Sequence, residues 1–232
     1  MKPPKIEYEG KTYIFSIRSL LIFAIGTPLI SFLIYFSHNW VWLHEIVSKQ
    51  TVWLMNLITG MGASVEYRSF YGNMPSPWFI VIPGRADIGF TTFCTGIQAI
   101  AIFAGIILTI PHSQDPDTSK DIWKRKLFAL IISSAIFYIV NIIRMVIQLD
   151  LYYIGYAWHD IHYSISAASS FIAAIIILLL HKWIPEFVIS IIYVGVLIKK
   201  KIKKPEDEEL MEETKDSSNL DLKEGTKEND GI

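Results

Sequence analysis

The sequence predicts an all-α membrane protein with about four core transmembrane helices. Around them it predicts an outer amphipathic helix, a small extracellular β-hairpin and a cytoplasmic interfacial helix. Three observations lead there. The 232 residues are 52% hydrophobic and 19% charged, with net charge −1. The charge is unevenly spread: residues 199–232 hold 8 Lys and 11 Asp and Glu, so 19 of the 43 charged residues sit in the last 34 positions. The other 198 carry 24, too few to cover the surface of a soluble fold of that size. Finally, long runs are free of charge. The near-neutral balance excludes a nucleic-acid binder working through a basic surface. The single cysteine excludes an intrachain disulfide framework and an all-thiolate zinc site.

The charge-free runs place the spans. Residues 19–44 hold no charge, and their apolar part is Leu20–Phe36. Residues 88–114 hold none, with apolar part Phe93–Ile110. Residues 127–149 hold one, Arg144, and residues 161–181 hold none. Each run approaches the ~20 residues a helix needs to cross a bilayer. Ser37-His38-Asn39-Trp40 after the first run is no small-residue cleavage site, so that run reads as a retained anchor rather than a signal peptide.

Basic residues set the orientation. Lys2, Lys5, Lys11 and Arg18 precede the first span. Lys120, Lys124, Arg125 and Lys126 lie between the second and third. Lys182, Lys199, Lys200, Lys201, Lys203 and Lys204 follow the fourth. The positive-inside rule puts all three segments, and both termini, in the cytoplasm. Trp40, Trp42 and Trp158 then fall near outer boundaries, and Trp123 and Trp183 near inner ones.

The remaining segments follow. Trp40, Leu43, Val47, Leu54, Leu57 and Ile58 recur at roughly helical spacing opposite His44, Glu45, Ser48 and Lys49, which predicts a helix on the outer membrane face. Val65–Tyr71 and Trp78–Ile82 are strand-like runs around the loop signal Gly72–Pro77, which predicts the hairpin. Phe187–Ile198 is apolar but too short to span, so it reads as an interfacial helix or an extension of the fourth span beyond a Pro185 kink. Residues 1–198 thus form one polytopic domain. Residues 199–232 form a charged cytoplasmic tail, disordered by composition, with a basic start suited to anionic headgroups.

Three features carry potential chemistry. Cys94 opens the second span, where free amides and the helix dipole favour a thiolate; the bland alternative is a small packing residue. Arg144 lies in an otherwise uncharged span, about 26 Å along it, with Asn141 one turn away on the same face; the alternative is a snorkelling cation. His159 and His162 flank the start of the fourth span beside Asp160. Zinc would need further ligands that the sequence does not offer, so no metal or cofactor is assigned. Topology puts Cys94, Arg144 and the histidines at one outer depth. A Cys–His pair with an adjacent Arg suits acyl transfer through a thioester.

At these residues the chain resembles the exosortase/archaeosortase family of membrane transpeptidase-like enzymes. The resemblance covers roughly residues 40–180. It rests on Cys94-Thr95-Gly96 opening a helix, Asn141–Arg144 ending the next, and His159-Asp160 starting the last. It implies a polytopic catalytic domain with nucleophile Cys94, base His159 and stabiliser Arg144. His162, Asn141, Asp160, Gln98 and Gly96 support them. The family often has glycine four residues after its histidine; here Tyr163 stands there, so His162 remains an alternative base. The implied activity is a cysteine protease or transpeptidase in the cell membrane, active on the outer face. Its implied partners are exported proteins with a C-terminal transmembrane sorting signal and a lipid amine acceptor. The competing expectations are a non-catalytic transport or assembly subunit and a metal-dependent hydrolase built on His159, Asp160 and His162.

Overall fold

A computed structural model describes residues 5–36, 40–69 and 77–199. The residues expected to end the first span (37–39), most of the hairpin loop with Phe70 and Tyr71, and the tail from residue 200 onward lie outside the described residues.

The chain opens on a hairpin, β1 (Ile6–Tyr8) and β2 (Lys11–Tyr13). Glu9 and Gly10 both take positive φ (50° and 71°), the geometry that closes a two-residue hairpin with the right twist. The sequence reading assigned nothing here but basic charge. Then comes α1 (Ile17–Phe36), and after it α2 (Val41–Thr59). Next are β3 (Ser64–Tyr67), β4 (Trp78–Val81) and β5 (Ile88–Gly89), an antiparallel sheet in that order. The expected hairpin is present in β3 and β4, where Val65 faces Ile80. Arg68 ties it to the β4–β5 loop by bonding Glu66 and Asp87, both at 2.6 Å.

A 3-10 turn, Thr92–Thr95, precedes α3 (Ile97–Thr109). After the short α4 (Pro116–Ser119) come α5 (Ile122–Tyr153) and α6 (Trp158–Leu179). A last helix, α7, covers 186–199. Among the described residues, three helical segments are long and apolar enough to cross a membrane: Ile17–Phe36, Pro116–Tyr153 and Trp158–Lys182. The second expected span departs from this. Its helical part is 13 residues, ~20 Å at 1.5 Å per residue, well short of a ~30 Å hydrocarbon core.

Local chemistry explains the short helix. At its start, Gly96 turns left-handed (φ 76°). At its end, Ile110 leaves the helix just before Pro111. There the Lys126 ammonium donates to the carbonyls of Leu108 (3.1 Å) and Ile110 (2.7 Å), satisfying groups the helix leaves open. Lys126, one of the basic residues between the second and third expected spans, is buried. Against α1, α3 packs through small residues. The Thr27 and Thr109 hydroxyls bond at 2.7 Å, and a Cβ on Gly105 would strike the Thr27 carbonyl. Apolar membrane-type helices approach this closely where side chains are small.

The expected apolar stripe of α2 divides between a packed side and an outward one. The side packed on α5 and the sheet is Leu43, His44, Val47, Ser48, Thr51, Val52 and Met55. Leu57 and Ile58 point out, 67% and 66% exposed. Small polar residues on the packed side let α2 sit close to its neighbours, and His44 finds a hydroxyl partner there.

At the opposite end, α7 lies back on the N-terminal hairpin. Ile189 and Tyr193 cluster with Tyr13, Phe15 and Leu20, and the Tyr193 hydroxyl donates to the Phe15 carbonyl at 3.0 Å. Its first residue, Glu186, is buried and accepts two bonds from Arg125, at 2.6 and 2.9 Å. The sequence expectation of an interfacial helix or a continuation of the fourth span becomes a helix docked by an ion pair.

Candidate functional site

The site grows from the turn before α3. The Cys94 amide donates to the Thr91 carbonyl at 2.9 Å, and the Thr95 hydroxyl to the Thr92 carbonyl at 2.7 Å. Gly96 then reverses the chain. A side chain there would suffer the left-handed φ and would crowd Asn141, whose Cγ lies 3.0 Å from the Cβ position.

Two residues of α5, three apart and so on one face, hold this turn. Asn141 donates to the Cys94 carbonyl at 2.9 Å. Arg144 donates to the Phe93 carbonyl at 3.3 Å. From α2, His44 Nε2 meets the Thr92 hydroxyl at 3.0 Å. Burial pushes the His44 pKa down to about 4, so it is neutral at physiological pH. The sequence reading placed His44 on the polar face of α2. Only its tertiary partner, 48 residues away, makes it part of this turn.

Arg144 is 9% exposed, and among the described residues no carboxylate pairs with it. Its Nε is buried without a hydrogen-bond partner. So are Asn141 Oδ1, Gln148 Oε1 and His162 Nδ1. Four orphaned polar atoms close together in space, on α5 and α6, demand an explanation, since native interiors leave few such groups open.

A groove of about 640 Å³ opens between α3 and α6 over α5. Its polar end is Thr91, Gln98, Arg144 and His162, with Phe93 and Gly96 beside them. Its other end is Ile102, Phe103, Phe137, Ala173 and Ile177. From His162 to Ile177 along α6 is about 22 Å. Cys94 is 3% exposed and stands behind this wall, its Sγ 3.6 Å from the Thr91 hydroxyl.

The expected site residues therefore divide. Cys94, Gly96, Gln98, Asn141, Arg144 and His162 gather at one end of the bundle. His159 and Asp160 do not line the groove. Their side chains are 80% and 82% exposed, the His159 ring 3.4 Å from the Asp160 carboxylate and tilted on Tyr163. His162 instead stacks on Trp158 and faces the groove. The two histidines are three apart, about 60° around the helix, and it is the stacking on Trp158 that sets only His162 inward. Thr91, His44 and Gln148 joined the site without a sequence signal. Among the described residues, no three His, Cys, Asp or Glu side chains come together to hold a metal.

No family model, no curated protein and no solved structure matches this chain.

Proposed function

We propose that the protein is a membrane-embedded cysteine protease or transpeptidase of the archaeosortase type, crossing the bilayer about four times. The observation that carries the reading is a buried cation, Arg144, that pairs with no carboxylate among the described residues, bonds the carbonyl of Phe93 next to the single thiol, and shares a groove with His162. A cation without a protein anion suits a charge that appears only during reaction, a thiolate or an oxyanion. In this reading the Cys94 end faces outward, by the positive-inside argument. The thiolate attacks the scissile carbonyl of an exported protein's C-terminal sorting signal. Arg144 stabilises the oxyanion, and the imidazolium protonates the leaving amine. The thioester then passes to a lipid amine or to water. His162 serves as base in place of His159, because it opens onto the groove.

The test is processing of a co-expressed exported protein with a C-terminal transmembrane signal. Cys94→Ala and His162→Ala should abolish it while the enzyme stays in the membrane; His159→Ala should leave it within about threefold, as for an exposed side chain outside the site. Normal processing by Cys94→Ala overturns the reading.

One observation favours a second reading, a non-catalytic transport or assembly subunit: the Cys94 thiol is buried behind the groove wall. A thiol inert to external reagents in the folded protein would support it.

A further inference from the structure

Thr91 stands where a helical turn begins, in extended backbone (φ −111°, ψ 168°). A threonine there ordinarily uses its hydroxyl to cap a free amide of the first turn. Thr91 makes no such bond. Its hydroxyl lies 3.6 Å from Cys94 Sγ instead. The turn itself is held by other groups: His44 on Thr92, Arg144 on the Phe93 carbonyl, Asn141 on the Cys94 carbonyl. The Thr91 hydroxyl is therefore free of a structural duty in the turn. It also lines the groove that Cys94 itself does not reach, and the orphaned Nδ1 of His162 belongs to a residue of that same groove.

We propose that Thr91 is the link between the buried thiol and the groove, carrying the thiol proton toward His162. The S–H bond breaks and its proton passes to Thr91 Oγ1. The hydroxyl's own proton leaves, through a water molecule in the groove, for the His162 imidazole. The products are a thiolate and an imidazolium, and Thr91 ends with one proton as it began. A hydroxyl suits this because it donates and accepts at once. It then stays as a donor to the thiolate, a charge-assisted bond that Arg144 reinforces from the other side. The inference rests on Cys94 being the nucleophile.

The experiment is the alkylation rate of Cys94 by iodoacetamide in the full-length protein in lipid nanodiscs, followed by mass spectrometry from pH 6 to 9. Cys94→Ala gives the background. Thr91→Val keeps the shape and removes the hydroxyl; it should slow alkylation roughly 10- to 100-fold at neutral pH, the size of one hydrogen bond to a charged group. Thr91→Ser restores the hydroxyl and should react within about threefold of the parent. A turn damaged in packing alone would not be rescued by serine, which lacks the methyl. If Thr91→Val lowers the thermal midpoint, Thr91→Ala, with no branched methyls to misplace, replaces it in the comparison. Equal rates for parent and valine variants overturn the relay and leave the protease reading standing. So does a serine variant as slow as valine. A thiol that fails to react in the parent overturns both.

Discussion

The two ends of the bundle treat buried charge in opposite ways. At the Arg125 end each buried charge has partners. Glu186 receives both arms of Arg125, which also bonds the Thr118 carbonyl, and Lys126 holds two carbonyls of α3. At the Cys94 end Arg144 meets one carbonyl and one thioether, and leaves Nε open. Desolvating a charge costs several kcal/mol unless partners repay it, ~3–5 kcal/mol being lost when one member of a buried pair is removed. The Arg125 end is thus built to hold the chain together: it joins the N-terminal hairpin, α5 and α7. The Cys94 end keeps a cost that the fold alone does not need, which is the pattern of a site awaiting a ligand or a reacting group.

The contrast yields graded expectations. Arg125→Met should destabilise most, by ~3–5 kcal/mol, because Glu186, fully buried, would keep its charge without the guanidinium. Arg144→Met should cost far less, less than ~1 kcal/mol, or should stabilise, while removing processing activity. Thermal unfolding in detergent, set beside a processing assay, checks both. A large stability loss in Arg144→Met would erase the distinction between the ends.

His44 gives the next effect. Its folded pKa of about 4 lies below the ordinary 6.5, so its contribution is fully present above pH 6.5 and is lost as pH falls from there to 4. The size is on the order of 3 kcal/mol. His44→Gln retains an amide able to meet the Thr92 hydroxyl, and should flatten stability over that window. A parent protein equally stable at pH 6.5 and 4.5 would break this expectation.

Gly96→Ala should lose less than His44, ~1–2 kcal/mol from the left-handed backbone together with the contact on Asn141. Alkylation of Cys94 in that variant sharpens the comparison. A changed rate would show that the turn's geometry, and not only its stability, depends on the glycine.

Much of this arrangement was legible in the residues. Runs of about 20 residues with at most one charge mark α1, α5 and α6, because only a helix of that length satisfies its backbone across apolar surroundings. Asn141 and Arg144 are one turn apart, so their shared face followed from helix geometry. The β3–β4 pairing followed from branched and aromatic runs around a loop signal. Other features were not legible. The length of α3 depends on Lys126, which reaches back 16 residues to the Ile110 carbonyl. The β1–β2 hairpin turns on Glu9, a residue that gives no local sign of positive φ. The buried side of α2 includes His44, Ser48 and Thr51, which hydrophobic periodicity assigns to water.

The sequence by itself determined that apolar helices dominate, and that one thiol, one arginine and two histidines lie toward the same end. Those properties are local: composition, period and order along the chain. Tertiary structure decided which side chains meet. It turned His162 into the groove and His159 into solvent, withdrew Cys94 behind Thr91, and left Arg144 without a carboxylate partner among the described residues. Each of these depends on packing between segments far apart in sequence.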